Sequence, residues 1–380
     1  MFRRIQRTRL TAVAASALLL FGAAACGSGE SDDQAAPSGD SAPKGAFPVT
    51  LDHKYGTTTV KNDPQRIVTV GLSDQDAVLA LGKVPVGTTE WFGEFKGAIG
   101  PWAEKALGDK DRPTVLHDDG TGPQVEKIAS LRPDLILALY SGLTKDQYRT
   151  LSKIAPVVAQ PKEGADWGIS WQDQTTQVGK ALGKSDEAKE LVAKTEKHIA
   201  DAAAAHPEFK GRSAVMATPY EGMYVYGPQD NRSRVLTGLG FQLPAGLDEV
   251  VGEAFGANIS KERTDLLDTD AVAWIVTDPA KDAKKLHADP LYGKLDAVKE
   301  GREVMIKENS HFGSAISFVT PLSIPYTVDR LVPMLSAAVD GKTDTKVECA
   351  PPARHRCGRA HSPCACSGSC SPTGSACGAA

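Results

Sequence analysis

Residues 185–206, SDEAKELVAKTEKHIADAAAAH, decide how the rest of the chain divides. Ala188, Leu191, Val192, Thr195, Ile199 and Ala202 fall at the three-and-four spacing of a helix with one buried face. Ser185 is the expected N-cap, Asp186 and Glu187 suit the positive end of the helix dipole, and Pro207 stops the run. At ~1.5 Å per residue the stretch spans roughly 33 Å, long enough to cross a small domain. It lies near the middle of the globular sequence and is expected to be a strut between two similar lobes.

On its N-terminal side, Arg66-Ile-Val-Thr-Val70 is a short β-branched run, and 74–81 has helical spacing. Residues 83–87 are a second strand candidate, 125–131 a short helix, and Asp134-Leu-Ile-Leu-Ala-Leu139 an apolar run of the kind buried on both faces. Residues 145–154 form another amphipathic helix and 157–159 another strand. On the C-terminal side the same grammar returns. Residues 214–217, 223–226, 271–276 and 303–306 read as strands, and 233–239 and 289–298 as helices; 322–339 reads as helix broken by Pro325 and Pro333. Strands alternating with helices over short links predict α/β lobes with mostly parallel sheets. A local echo supports two related lobes. Glu126-Lys127 precedes Asp134 and its buried strand, and Glu262-Arg263 precedes Asp270 and another at the same spacing.

The 380 residues are 41% hydrophobic, ample for two cores. The net charge of −4 offers no basic field for nucleic acid or an acidic membrane surface. Residues 1–25 read as a secretory signal, with Arg3, Arg4, Arg7 and Arg9 ahead of an apolar run ending in small residues. Ala23-Ala24-Ala25-Cys26-Gly27 resembles a bacterial lipobox, with Ala23 where leucine is usual. Lipidation of Cys26 is preferred over simple cleavage, because a lone cysteine at the signal boundary has little other reason to exist. Residues 26–46 are then a flexible tether. The other six cysteines all lie between Cys349 and Cys377, so the globular part is built without disulfides. That tail, 348–380, has no apolar period and no paired C-x-x-C spacing; it is expected to be disordered, and no function is assigned to it. The expected division is therefore 1–25 signal, 26–46 tether, 47–184 first lobe, 185–206 helix, 207–347 second lobe and 348–380 tail.

No phosphate-binding loop, dinucleotide turn, zinc-protease helix or nucleophile elbow occurs. The eight histidines are scattered without metal-ligand spacing. A binding protein is expected rather than an enzyme, with no cofactor and no metal site of its own.

The segments Leu131-Arg-Pro-Asp-Leu-Ile136 and Ile154-Ala-Pro-Val-Val158, with RIVTVGLSDQDAVLALGKVPVG, YVYGPQDNRSRVLTGLGFQLP, DPLYGKLDAVKEGREVMI and SFVTPLSIPYTVDRLVPML, resemble a known family. It comprises the substrate-binding lipoproteins of ABC transporters for ferric siderophores, haem and cobalamin, particularly those of Gram-positive actinobacteria. The resemblance implies two Rossmann-like α/β lobes joined by one long rigid helix, with ligand held in the cleft between them. It also implies a glutamate on each lobe that docks on arginines of the paired permease subunits, which work with an ATPase. Gln124-Val-Glu126-Lys-Ile and Ile259-Ser-Lys-Glu262-Arg match those docking segments. Either glutamate alone would read as a helix N-terminal acid interacting with the dipole; the matched pair favours docking through charge-assisted contacts.

The cleft is expected to be lined from the segments that follow strands. Candidates are Trp91, Phe92, Tyr140, Trp171, Tyr220, Tyr224, Arg232, His311 and Phe312, since amphipathic aromatics and arginine suit a bulky chelate with polar oxygens around its metal. Trp102 and Trp274 are expected in cores. Hydroxamate binders of this family often carry an arginine just before the first docking segment; here that place is His117-Asp-Asp-Gly120, which leaves the ligand's chemistry open. The resemblance thus implies a monomeric lipoprotein on the outer face of the cell membrane, touching the membrane through its anchor only. It would capture a ferric siderophore for an ABC permease. The alternative is haem or cobalamin in the same fold, with His311 or a tyrosine as haem ligand.

Overall fold

In the computed structural model, residues 46–340 are described, apart from Phe92 and Asp119. The anchor candidate Cys26, most of the tether, the tail and Phe92 therefore lie outside the described residues. The first lobe opens with a hairpin, β1 (Val49–His53) and β2 (Gly56–Val60). It continues through β3 (Ile67–Thr69), α1 (Asp74–Ala80), β4 (Gly87–Thr89), α2 (Glu104–Leu107), β5 (Thr114–Leu116) and α3 (Val125–Ser130). It closes with β6 (Leu135–Ala138), α4 (Lys145–Leu151), β7 (Val157–Ala159) and α5 (Trp171–Ala181). Its main sheet has the order β5-β4-β3-β6-β7 and every pairing in it is parallel. The central β6 is buried along its whole length, as its unbroken apolar run requires.

After α6 (Ser185–Ala205), the second lobe contains β8 (Ala214–Thr218), β9 (Tyr224–Tyr226), α7 (Asn231–Gly238), α8 (Leu247–Val251) and β10 (Gly256–Asn258). Then come β11 (Ala271–Val276), α9 (Pro279–His287), α10 (Asp296–Lys299), β12 (Glu303–Lys307), α11 (His311–Phe318) and α12 (Ser323–Val339). The sheet order is β10-β9-β8-β11-β12. Its β8, β11 and β12 are parallel, whereas β9 and β10 run antiparallel to their neighbours.

The strut forms as its periodicity predicts. Ala188 and Leu191 pack on the first lobe's core, while Ile199, Val192 and Ala202 pack on the second's. A glycine seats it on each side. A Cβ on Gly179 of α5 would fall 2.2 Å from Ala188 Cβ, and one on Gly238 of α7 would fall 2.9 Å from Ile199 Cγ2. The helix begins differently from expectation. Ser185 is its first residue and Lys184 its N-cap, because the buried Lys184 side chain is drawn to the Leu81 carbonyl at 2.9 Å and its own carbonyl accepts from Ala188.

Three other expectations are corrected. The strand placed at 83–87 starts only at Gly87, since pairing with β3 is reached only at Val86, whose N–H donates to Ile67. The helix placed at 289–298 is a single tight turn, Tyr292–Lys294, followed by the short α10; the long helix there is α9, which uses Asp278 as its N-cap and Pro279 at its first position. Pro325 and Pro333 do not break α12. Pro325 sits in the first turn, where its missing N–H has no partner to lose, and packing of the flanking residues into the second core holds Pro333 inside the helix.

The aspartates of the echo, Asp134 and Asp270, match for a structural reason. Asp134 accepts hydrogen bonds from the N–H groups of Gln65 and Arg66, both at 2.8 Å, just before β3. Asp270 accepts from the N–H of Ser213 at 2.8 Å and from Arg212 at 2.9 Å, just before β8. In each lobe the acid entering one central strand ties down the start of its parallel neighbour.

Candidate ligand cleft and docking positions

The lobes meet along a seam of aromatic rings. Trp91 and Trp102 of the first lobe lie 5.2 and 5.3 Å, ring to ring, from Phe318 of the second. Phe95 lies 5.9 Å from His311. Beneath the rings, the fully buried Asp76 accepts from Trp102 Nε1 at 2.7 Å and from the Thr320 hydroxyl at 2.6 Å, which links α1 to the turn after α11. Burial raises its pKa to about 6 even though both hydrogen bonds pull it down.

Two cavities open along this seam and share Trp91. One, of about 340 Å³, is lined by Trp91, Thr218, Tyr220, Tyr224, Tyr226, Arg232, Phe255, Ile275, Glu308 and Ser317. The other, of about 500 Å³, is lined by Glu90, Trp91, Gly93, Glu94 and Asn309. Their first-lobe walls come from the end of β4. Their second-lobe walls come from the ends of β8 and β12 and from the antiparallel β9 and the turn before β10. This is the strand-end location at which α/β sheets hold ligands.

The aromatic wall is ordered from behind. Tyr140 is buried and packs on Trp91 and Trp167 at 5.7 and 5.9 Å. Its position is set by Asp74 on α1, whose carboxylate accepts from the Leu139 and Tyr140 N–H groups and from Gln174 Nε2 at 2.8, 3.1 and 2.7 Å. A Cβ on Gly71 would lie 2.2 Å from that carboxylate, so this approach requires glycine. Burial raises the phenol pKa of Tyr140, of Tyr226 and of Tyr224, the last to about 12, so all three keep their hydroxyl protons.

Arg232 lies at the cavity floor as half of a buried ion pair. Its Nε and Nη2 donate to the two oxygens of Asp230 at 2.8 and 2.7 Å, and its guanidinium stacks 3.8 Å above the Tyr226 ring. Burial works against its charge, but Asp230 outweighs that and holds the guanidinium protonated. Asp230 also caps α7 through the Arg232 N–H, which ties the pair to the helix start.

Of the residues named from sequence, Trp91, Tyr220, Tyr224 and Arg232 line the first cavity and Tyr140 backs it. Trp171 is corrected. It is 1% exposed and sits in the second lobe's core although α5 belongs to the first, so it rivets the lobes together and presents no face to a ligand. Phe312 is likewise corrected; it is 7% exposed and packed in the same core. His311 is exposed at the far end of the seam, against Phe95. Trp274 is fully buried, donating to the Tyr292 hydroxyl at 2.7 Å, while Trp102 belongs to the seam rather than to a single core. Glu90, Glu94, Glu308 and Phe255 were missed. Glu90 and Glu308 directly follow β4 and β12, and applying the strand-end rule to carboxylates as well as aromatics would have found both. Among the described residues no group of three or more His, Cys, Asp or Glu side chains converges as metal ligands.

Glu126 and Glu262 are both exposed and occupy matching places, in the short helical turn that leads into β6 or β11. The Glu262 carboxyl is held below the usual range by its own backbone N–H and by the Ser260 hydroxyl.

Comparison with known proteins agrees with this architecture. The family model described as periplasmic binding protein matches residues 67–309. The Fe(3+)-citrate-binding protein YfmC of Bacillus subtilis is 30% identical over 248 residues, 65% of this chain and 74% of that one. Among solved structures, PiaA of Streptococcus pneumoniae in complex with ferrichrome superposes with a TM-score of 0.69 at 33% identity, covering 77% of this chain and 99% of that one. A periplasmic solute binding protein from Mycobacterium smegmatis superposes with a TM-score of 0.66 at 35% identity, with the same coverage.

Proposed function

Because the chain belongs to the periplasmic binding protein family, a family of substrate-binding proteins rather than enzymes, we propose that it captures an iron(III)–siderophore complex between its lobes and delivers it to an ABC permease. The observation that carries this reading is the pair of cavities meeting at Trp91 and walled by Tyr220, Tyr224, Tyr226 and Phe255, with Arg232 at the floor. Flat aromatic faces suit the organic shell of a chelate, while phenol and guanidinium N–H and O–H groups suit its outward oxygens. The metal arrives already wrapped, so the protein needs to supply no ligand to iron. The relatives named for ferric citrate and ferrichrome point the same way.

Glu126 and Glu262 are the permease contacts in this reading. Their matching places on two similar lobes give a two-fold partner one acidic contact per subunit. Cys26 is the lipid attachment site and residues 27–46 the tether, so a monomer is held at the outer face of the cell membrane by its anchor alone. Among the described residues no helix is long and apolar enough to cross a membrane.

Tryptophan fluorescence tests the binding step. The iron-loaded siderophore should quench emission, its iron-free form should bind at least ~10-fold more weakly, and Trp91→Ala should weaken the loaded complex by ~10-fold or more through lost stacking. Equal binding of both forms would count against the reading. Glu126→Ala combined with Glu262→Ala should abolish uptake in cells and leave solution affinity unchanged; normal uptake would remove the docking role.

A further inference from the structure

The charges around the cleft carry information about the ligand that its aromatic wall does not. Among the described residues, three carboxylates line the two cavities, Glu90, Glu94 and Glu308, against a single lining cation, Arg232. That cation is already spent, since two of its three guanidinium nitrogens face Asp230 in a pair whose side chains are 8% and 1% exposed. Asp230 therefore cancels it within the floor. Among the described residues lining the second cavity there is no lysine or arginine, and beside it His117 Nδ1 lies 3.1 Å from Glu90. Arg234 is not among the lining residues; it donates to Asn231 Oδ1 and to the Gly168 carbonyl at 3.2 and 3.4 Å, behind the wall. Among the described residues, Glu94 and Glu308 have no ion-pair partner.

We infer that the cleft selects a neutral or cationic ferric chelate, the charge class of the trihydroxamates, and rejects anionic ferric citrates and catecholates. This rests on the cleft being a ferric-chelate site, as proposed above. The arithmetic of the chelates is elementary. Three singly charged hydroxamates cancel the charge of iron(III), and an added ammonium makes the complex cationic. Three doubly charged catecholates, or citrates with spare carboxylates, leave it anionic. An anionic complex seated here would face Glu90, Glu94 and Glu308 with no uncommitted cation among the described lining residues to meet it, and like-charge juxtaposition is an effective device for rejecting a wrong ligand. A neutral complex loses nothing by that field. It gains tyrosine hydroxyls, which keep their protons, as donors to its hydroxamate oxygens. A cationic one also finds exposed aromatic faces, of which Tyr220 is 62% exposed.

The test is a tryptophan-quenching series with four chelates: ferrichrome (neutral), ferrioxamine B (cationic), ferric citrate and ferric enterobactin (both anionic). At low salt the first two should bind at least ~10-fold more tightly than either anionic chelate. Raising ionic strength from about 0.05 to 0.5 M should weaken ferrioxamine B, strengthen the anions and leave ferrichrome nearly unchanged, because surface charges are screened over about a Debye length. The double variant Glu94→Gln with Glu308→Gln, on an exposed and a half-exposed position respectively that do not threaten the fold, should narrow the gap by about 3-fold or more. A tie, a reversal in favour of an anionic chelate, or a gap that ignores the double variant overturns the charge selection. Failure of all four to bind overturns the siderophore reading itself, which is a different result.

Discussion

The two lobes agree where they face outward and differ where they face each other. Outward, each presents an exposed glutamate in a short turn, then an aspartate that pins the start of the neighbouring strand, then a wholly buried central strand, β6 or β11. Toward the cleft, the first lobe's main sheet has only parallel strands, and the lobe supplies one tryptophan and two carboxylates. The second turns β9 and β10 antiparallel and so brings Tyr220, Tyr224, Tyr226 and Phe255 to one wall. The shared frame and the ligand chemistry are therefore separable. A parallel βα unit fixes the strand ends, and an added antiparallel edge decides what hangs from them.

The comparison can be tested first where the lobes are riveted. Trp171→Ala should cost about 3–5 kcal/mol, the usual cost of truncating a fully buried aromatic, read as a lower urea midpoint. Trp91→Ala, from the half-exposed cleft wall, should cost well under half of that while impairing ligand binding. Similar losses of stability from both would mean that cleft and core are not distinct here.

Next is the buried carboxylate of the seam. Asp76 has a folded pKa near 6 against an ordinary value of 3.8. The folded state therefore binds its proton more tightly than the unfolded chain, and the stability this confers is full below pH 3.8 and lost as pH rises through about 6. Two pH units at ~1.4 kcal/mol each make the loss on the order of 3 kcal/mol. Asp76→Asn keeps an oxygen for Trp102 and Thr320 and removes the charge. Its thermal midpoint should thus gain on wild type as pH rises from 4 to 7; parallel curves would refute the assignment.

Smaller effects test the outward match itself. Asp134→Ala and Asp270→Ala should each cost about 1–2 kcal/mol, because the first leaves two backbone N–H groups, and the second one N–H and the Arg212 guanidinium, without their acceptor at a partly solvated strand start. Losses differing by more than about twofold would show that the echo is only superficial. Smallest of all is the motion on binding. One continuous helix, seated by Gly179 and Gly238, permits little opening, so X-ray scattering should show a radius of gyration changing by less than about 1 Å with ligand. A larger closure would break the view of α6 as a stiff strut.

Much of this was legible in the chain itself. The strut, the two buried central strands and the paired glutamates all follow from local patterns, because hydrophobic period and run length fix an element's type and its buried face. Four of the nine cleft candidates, Trp91, Tyr220, Tyr224 and Arg232, line the cavity because they lie at strand ends or the loops between them, and Tyr140 lies just behind. What local pattern does not fix is which neighbour meets a given face. Trp171 and Trp91 are both aromatics near element ends, yet close packing of α5 on α6 sends the first into the other lobe's core and leaves the second on the cleft wall. Arg232 carries a charge in the sequence, but only its contact with Asp230 cancels that charge. Pro333 opposes a helix by propensity and is overruled by the core that α12 fills. Element identity is a property of neighbours along the chain; burial, pairing and net charge at a site are properties of neighbours in space, and the chain acquires those only on folding.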